Sequence, residues 1–305
     1  AAGRIAIFSH IRPDGDAIGS LLGLGLALEK AGKQVQMVLC DGLPRSFRHL
    51  EGSQRVVRAA QGEVDLRIVV DASDTQRIGG LLEGLSVDIN IDHHLTNILF
   101  GRINLIEPEA VATAAVLAEH LPLWGLQVSP ETAQALLTGM VTDTIGFRTS
   151  NMTPQALHLA ADLFAVGGEL PELYRRALSS RSYEATRYWG CALSRLQRKG
   201  RLAYTWLTLE DRKISGYTGN DDADLNNILS SMDDVDITIL LIEQKAEHVK
   251  VSWRAQPGLN VSGLAFEFGG GGHAPAAGAE IYAPLDEVLP RVVAATEALL
   301  NHNKK

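Results

Sequence analysis

Short apolar runs bounded by acidic or turn residues punctuate the first half of the chain, and stretches with helical periodicity separate them. Arg4 to Phe8 (RIAIF) is the first run, and a polar turn leads from it into a helical stretch from about Asp16 to Ala31, closed by Gly32. Gln34 to Leu39, Asp65 to Val70 and Val87 to Ile91 read as further strands, the last two followed at once by Asp71 and Asp92. Helical patterns follow around Ala110 to Leu121 and Pro130 to Val141. Short apolar strands alternating with helices predict an open, mostly parallel α/β sheet. Ligands of such sheets gather at the carboxyl ends of the strands.

From about Pro154 to Arg198 the pattern is helical, charged and amphipathic, and carries the basic residues Arg175, Arg176 and Arg181. A second unit begins near Arg201. Strands are expected there at Leu202 to Leu209, Asp236 to Glu243 and Val249 to Arg254, with helices around Asp224 to Met232 and Leu285 to Leu300. The expected division is therefore a first domain over 1–185, a linker over 186–200 and a smaller α/β domain over 201–305.

The length of 305 residues suits two domains. No apolar stretch approaches the ~18 residues of a membrane span, so a membrane partner is not expected. The N-terminus has no secretory pattern, and the two cysteines, Cys40 and Cys191, are too far apart in sequence for a paired metal motif. A reducing cytoplasm is the expected location. With 28 basic against 36 acidic residues the net charge is −8, which argues against a grip on long duplex nucleic acid.

Acidic and imidazole groups recur where strands end. Ser9 to Ser20 (SHIRPDGDAIGS) offers His10, Asp14 and Asp16, with Pro13 and Gly15 expected to keep the segment in a turn. Asp71 follows Ile68-Val69-Val70, and Asp92-His93-His94 follows the next strand. Adjacent histidines on an extended segment point to opposite sides, so one is expected to bind a metal and the other to meet substrate. Asp143 falls at the end of an apolar helix, where the helix dipole disfavours a carboxylate. Each feature alone has a structural explanation as a turn, a cap or a solvated charge. Jointly, His10, Asp14, Asp16, Asp71, His93 and Asp143 provide two imidazoles and four carboxylates. That set balances two divalent ions, and its mixed N/O character suits Mn²⁺. Two ions about 3.5–4 Å apart are a common device for phosphoester hydrolysis, with Asp71 the choice for a bridging carboxylate.

The ordered motifs SHxRPDGDAxGS, VVDASD, IDHH and VTDTxGFRTSN resemble those of the DHH phosphoesterase superfamily. Arg254 and the run Gly269-Gly270-Gly271-Gly272-His273 are similar to its DHH-associated C-terminal domain. The resemblance covers nearly the whole chain. It implies two Mn²⁺ ions, replaceable by Mg²⁺ or Co²⁺, and an active site in a cleft between the domains. Asp16, Asp71, His93 and Asp143 would hold one ion, and His10, Asp14 and Asp71 the other. Asp92 would orient a ligand histidine and His94 would face the substrate phosphate, so Asp71, Asp92 and His94 are the expected catalytic group. Arg254, Gly270, Gly271, Gly272 and His273 are the expected substrate-binding group: the glycines let successive backbone N–H groups form an anion nest, and arginine can clamp a phosphate with two bonds.

Within the superfamily the compact chain ending in GGGGH is similar to the nano-RNase (NrnA-type) group. That implies hydrolysis of short oligoribonucleotides to mononucleotides, and of phosphoadenosine phosphate (pAp) to AMP, by in-line attack without a covalent enzyme intermediate. Other readings remain open. They are a phosphodiesterase for dinucleotides such as pApA or c-di-AMP, a RecJ-like single-strand exonuclease, and a non-catalytic RNA-binding module like that of alanyl-tRNA synthetases. A homodimer is one arrangement open to the chain.

Overall fold

The computed structural model describes residues 2–167, 169–179, 181–219 and 221–302. They form two units, Ala1–Ser180 and Arg181–Lys305. In the first, the order is β1 (Arg4–Phe8), α1 (Gly15–Lys30), β2 (Gln34–Val38), β3 (Leu66–Val70), β4 (Val87–Asp92), β5 (Gly101–Ile106), α2 (Thr113–Leu123), α3 (Pro130–Asp143), α4 (Pro154–Val166) and α5 (Leu170–Tyr174). A single π-helical turn, Arg175–Ser179, ends it.

The five strands pair in the order β2-β1-β3-β4-β5, all parallel. Strand residues alternate between two buried faces, as a covered parallel sheet requires. Ile5 and Ile7 join the core with α1, α2 and α3, while Ala6 and Phe8 join a second cluster with Ile78 and Leu82 on the other side. The chain adds β2 on one side of β1 and β3 to β5 on the other, so the strand order reverses between β1 and β3, the topological switch point where α/β sheets bind ligands.

Helices α1 and α3 meet almost backbone to backbone. A Cβ at Gly19 would lie 2.5 Å from the Ala135 carbonyl oxygen, and one at Gly139 would lie 2.7 Å from Asp16 Oδ1. These two glycines leave room for the Asp16 side chain inside the helix layer.

The second unit comprises α6 (Tyr183–Ser194), β6 (Gln197–Lys199), β7 (Leu202–Leu207), α7 (Leu209–Ser215), α8 (Leu225–Leu229), β8 (Ile237–Lys245), β9 (His248–Ala255), α9 (Ser262–Glu267), β10 (Gly271–His273), β11 (Ala276–Ile281) and α10 (Leu285–His302). Its sheet runs β10-β11-β9-β8-β7-β6, antiparallel except for the β7–β8 pair. Ile237, Ile239 and Leu241 pack toward α9 and α10, and Leu240 and Ile242 toward α6.

Both units are α/β, and most elements lie within a few residues of their expected ends. The expected linker over 186–200 is instead α6 and β6 of the second unit. Ser182 caps α6, and Tyr188 and Ala192 bury against Leu207, Leu225 and Leu240, so the segment has a core to join. Strand β5 was not anticipated from the sequence: it is an edge strand whose polar Arg102 and Asn104 interrupt any apolar run. Helix α7, with its Thr208–Asp211 capping box, and strands β10 and β11 also lay outside the expectation. Among the described residues no helix is long and apolar enough to cross a membrane.

Candidate metal centre

Three of the sheet's strands deliver side chains to one place. His10 stands two residues past β1, Asp71 one past β3, and His93 one past β4. Asp71 adopts a left-handed backbone, φ +56°, a conformation that aspartate tolerates better than most residues. It lies at the switch point, and its carboxylate is 2 % exposed.

The two oxygens of Asp71 face different partners. Oδ2 lies 3.5 Å from His10 Nε2, while Oδ1 lies 3.9 Å from His93 Nε2. His10 Nε2 is also 3.7 Å from Asp14 Oδ1, and His93 Nε2 is 3.6 Å from Asp143 Oδ2 and 3.9 Å from Asp16 Oδ2. Donor atoms of His10, Asp14 and Asp71 fall within 4.8 Å of one another, and so do those of Asp16, His93 and Asp143.

Both histidines are set to offer a lone pair inward. His10 Nδ1 lies 2.8 Å from the Ile11 carbonyl, and His93 Nδ1 lies 3.1 Å from the Ala110 carbonyl. A carbonyl only accepts, so each Nδ1 carries the proton, and in the neutral ring Nε2 is left as the acceptor. Atoms bound about 2.0–2.2 Å from one ion sit roughly 3–3.6 Å apart, so the histidine–carboxylate pairs, at 3.5–3.9 Å, need close by only a few tenths of an ångström to share one. The residues present therefore fit a divalent cation in each group, and donor atoms of Asp71, His93 and His94 also fall within 4.8 Å of one another.

Asp16 enters the cluster from inside α1, within the first turn. The N-cap is Asp14, whose Oδ1 accepts from the Asp16 and Ala17 amides at 3.1 and 3.0 Å. Gly15 is helical, and a Cβ there would lie 2.2 Å from Thr142 Oγ1, so close packing rather than a turn explains this glycine. The Asp16 carboxylate sits at the N-terminus of α2, accepting from the Thr113 amide at 2.6 Å and the Ala114 amide at 2.9 Å. Aligned amides at a helix start favour a negative charge there.

The His93 and His94 rings do not point to opposite sides. They lie edge to face with centroids 4.7 Å apart, because the chain leaves β4 at Asp92 and folds back on it. Asp92 is fully buried and accepts from the His93 amide (2.8 Å), His94 Nδ1 (2.7 Å) and Asn97 Nδ2 (2.7 Å). It therefore orients the His94 ring rather than that of His93. The bond from Asp92 raises the His94 pKa against the effect of burial. Burial alone would lift the Asp92 pKa, but the bonds from His94 and Asn97 prevail and hold it low.

Crowding of carboxylates leaves its mark. Burial, reinforced by the charges of Asp71, Asp143 and Asp14, raises the Asp16 pKa well above the ordinary value. Burial also lifts Asp143 from 3.8 to about 6, with His93 opposing and Asp71 adding to the rise. Burial would lower the His10 pKa, but its bonds to Asp14 and Asp71 push it up to about 10. For a carboxyl with a raised pKa, the stabilisation gained by protonation is complete below 3.8 and is lost as the pH rises through about 6. A divalent cation held by these carboxylates would take over the protons' role above that window. Mn²⁺ at about 100 times its dissociation constant should accordingly raise the melting temperature by about 5–10 °C at pH 7.5. At pH 5.5 the rise should be less than half as large. Equal rises at both pH values in differential scanning fluorimetry would show that these carboxyls do not bind the ion.

Sequence reasoning missed Thr113, whose Oγ1 donates to Asp71 Oδ1 at 2.9 Å, together with Ala110 and Asn97. Thr113 at the head of an apolar helix was the one available signal, and it is shared by many helices.

The remaining expected residues lie in the second unit. Across its sheet His273 pairs with Ala276, and Ala276 with Arg254, so the three share a row. Directly paired residues project to one face, so the small Ala276 separates the arginine and histidine by two strand spacings, about 10 Å of backbone. Burial draws the Arg254 pKa down, with Asp222 acting the other way. The glycine run is not one open nest. The Gly269 and Gly270 amides donate to the Phe266 and Ala265 carbonyls at the end of α9, both at 2.9 Å, so the Gly270 amide is already engaged.

Comparison with known proteins places these features. The model of the DHH family, N-terminal domain, matches residues 4–140, and that of the DHHA1 domain matches residues 206–302. A Thermus thermophilus protein named bifunctional oligoribonuclease and PAP phosphatase NrnA is 36 % identical over 300 residues, covering 96 % of this chain and 89 % of that one. An Exiguobacterium protein named "Probable manganese-dependent inorganic pyrophosphatase" is 23 % identical over 177 residues, 56 % of this chain and 57 % of its own. The crystal structure of an exopolyphosphatase-related protein from Bacteroides fragilis superposes with a TM-score of 0.90 at 29 % identity, covering 99 % and 93 % of the two chains.

Proposed function

The chain belongs to the DHH family, and from that premise we propose that it is a two-manganese phosphoesterase. Its substrates are short oligoribonucleotides, cut to mononucleotides, and pAp, cut to AMP. The observation that carries this reading is Asp71, whose two oxygens face two separate donor groups. The name of the Thermus relative supports the substrates, and that of the Exiguobacterium relative supports manganese.

In this reading His10, Asp14 and Asp71 hold one ion, and Asp16, Asp71, His93 and Asp143 the other. When bound, the ions supply an acidified water and offset charge on the phosphate oxygens. The protein's own groups do the rest. Thr113 and the α2 amides fix Asp71 and Asp16 in place. Asp92 holds His94 by Nδ1 and favours the protonated ring, whose Nε2–H then donates a hydrogen bond or its proton to a phosphate oxygen as negative charge grows there. Arg254 and His273 are assigned to a substrate phosphate, with whichever of the Gly271 and Gly272 amides faces away from β11.

A turnover panel tests the reading: pAp, pApA, c-di-AMP, a five-nucleotide RNA, a 24-nucleotide RNA and pyrophosphate, each with and without Mn²⁺. Fast AMP release from pAp and rapid trimming of the five-mer, with little action on the 24-mer, is the expected result. Preference for the 24-mer or for pyrophosphate would overturn the substrate assignment. Absence of turnover with Mn²⁺ bound would favour an RNA-binding module.

A further inference from the structure

The first unit gathers cations around a concavity of about 550 Å³ that shares no residue with the carboxylate cluster. It is lined by Arg45, Ser46, Arg48, His49, Arg175 and Arg176. The turn Arg45–Phe47, anchored by the buried Phe47, lies against the π-helical turn Arg175–Ser179, so the four arginines line one concavity. One carboxylate answers them. Glu172 accepts from Arg175 Nε and Nη2 at 2.7 and 2.6 Å and from Arg176 Nε. Among the described residues Arg45 and Arg48 have no ion pair. His49 adds a further unmet need: its Nδ1 bonds the Ser46 carbonyl at 2.8 Å, and its buried Nε2 has no partner.

Four arginines converging with one counter-ion repel one another, and in a chain of net charge −8 the composition does not demand such a concentration. A multiply charged anion removes the repulsion and offers the planar oxygens that guanidinium forks match. We propose that this concavity is a binding site for a compact phosphorylated ligand of nucleotide size, separate from the hydrolytic centre.

Two features favour a compact ligand over a nucleic-acid strand. The volume falls in the range of small-molecule sites, about 300–1,000 Å³. The concavity that adjoins it through His49 and Arg176 is lined by Glu51, Glu131, Glu169 and Glu172. A phosphodiester backbone continuing in that direction would meet four carboxylates. A ligand whose charge ends within the basic concavity avoids them.

The test is equilibrium dialysis of the Mn²⁺-loaded full chain with radiolabelled ATP, inorganic phosphate, or a 24-nucleotide RNA, for the wild type and for Arg45→Gln/Arg48→Gln. Both positions are exposed, so the folded state should survive, and an unchanged melting temperature checks that. The expected result is two classes of ATP site in the wild type, one of them weakened about tenfold per guanidinium removed. Hydrolysis of the five-nucleotide RNA should stay within twofold. Inorganic phosphate should compete for the same class more weakly than ATP. Identical ATP binding by both proteins overturns the proposal. Joint loss of binding and hydrolysis would overturn it by making the arginines part of the hydrolytic machinery. Loss of 24-mer binding with ATP binding intact would overturn it in favour of a strand path.

Discussion

Asp71→Asn should lower kcat on the five-nucleotide RNA by about 10³-fold or more, corresponding to several kcal/mol of metal-based stabilisation, and should reduce bound manganese at both positions. Asparagine suits the test because it tolerates the left-handed backbone at this site, φ +56°, and keeps an oxygen to accept the Thr113 hydroxyl. The change then removes negative charge with little change of shape. Asp14→Asn is the natural control. Its side chain is 61 % exposed and belongs only to the His10 group, so one equivalent of metal should be lost and the other retained. Metal content by atomic emission, measured alongside kcat, separates the cases. A variant at Asp71 that keeps two equivalents and turns over within tenfold of wild type would sink the bridging role.

The contrast between these two carboxylates shows what the sequence could carry and what it could not. His10, Asp71 and His93 were legible because each stands within two residues of the end of an apolar strand, and parallel sheets bring strand ends together. Asp143 was legible as a charge at the wrong end of a helix. The supports were not. Thr113 and Ala110 reach the centre from a loop and a helix start whose position depends on close contact between α1 and α3, and that contact depends on Gly19 and Gly139. The arrangement of His93 and His94 was misjudged for a related reason. Period-two alternation applies only while the chain stays in a strand, and the buried Asp92 ends β4 by drawing the following amide and ring onto itself. The linker error was one of burial: α6 is amphipathic and charged enough to read as a connector, yet its Tyr188 face has a core to fill.

The glycine run is where fold and function are hardest to separate by sequence, and single alanine substitutions should divide them. At Gly272 a Cβ would lie 2.6 Å from the Ala276 carbonyl oxygen, and the backbone holds φ at +139°. At Gly270 the nearest atom would be the Gly278 oxygen, at 2.1 Å. Both glycines are there to let β10 close on β11. Gly271, paired with Gly278 between them, would place its Cβ in open space. β10 is the outermost strand of its sheet, so the least costly relief for Gly272→Ala is to detach it from β11. Backbone amide exchange should then accelerate across residues 269–276, and KM for pAp should rise about a hundredfold as His273 leaves its row with Arg254. Gly271→Ala should leave exchange unchanged. If a phosphate rests against this backbone, the added methyl group should still raise KM about tenfold, with kcat and metal content unaltered. An unchanged KM in Gly271→Ala would mean that the run serves only the closure of β10 on β11, leaving Arg254 and His273 as the second unit's phosphate contacts.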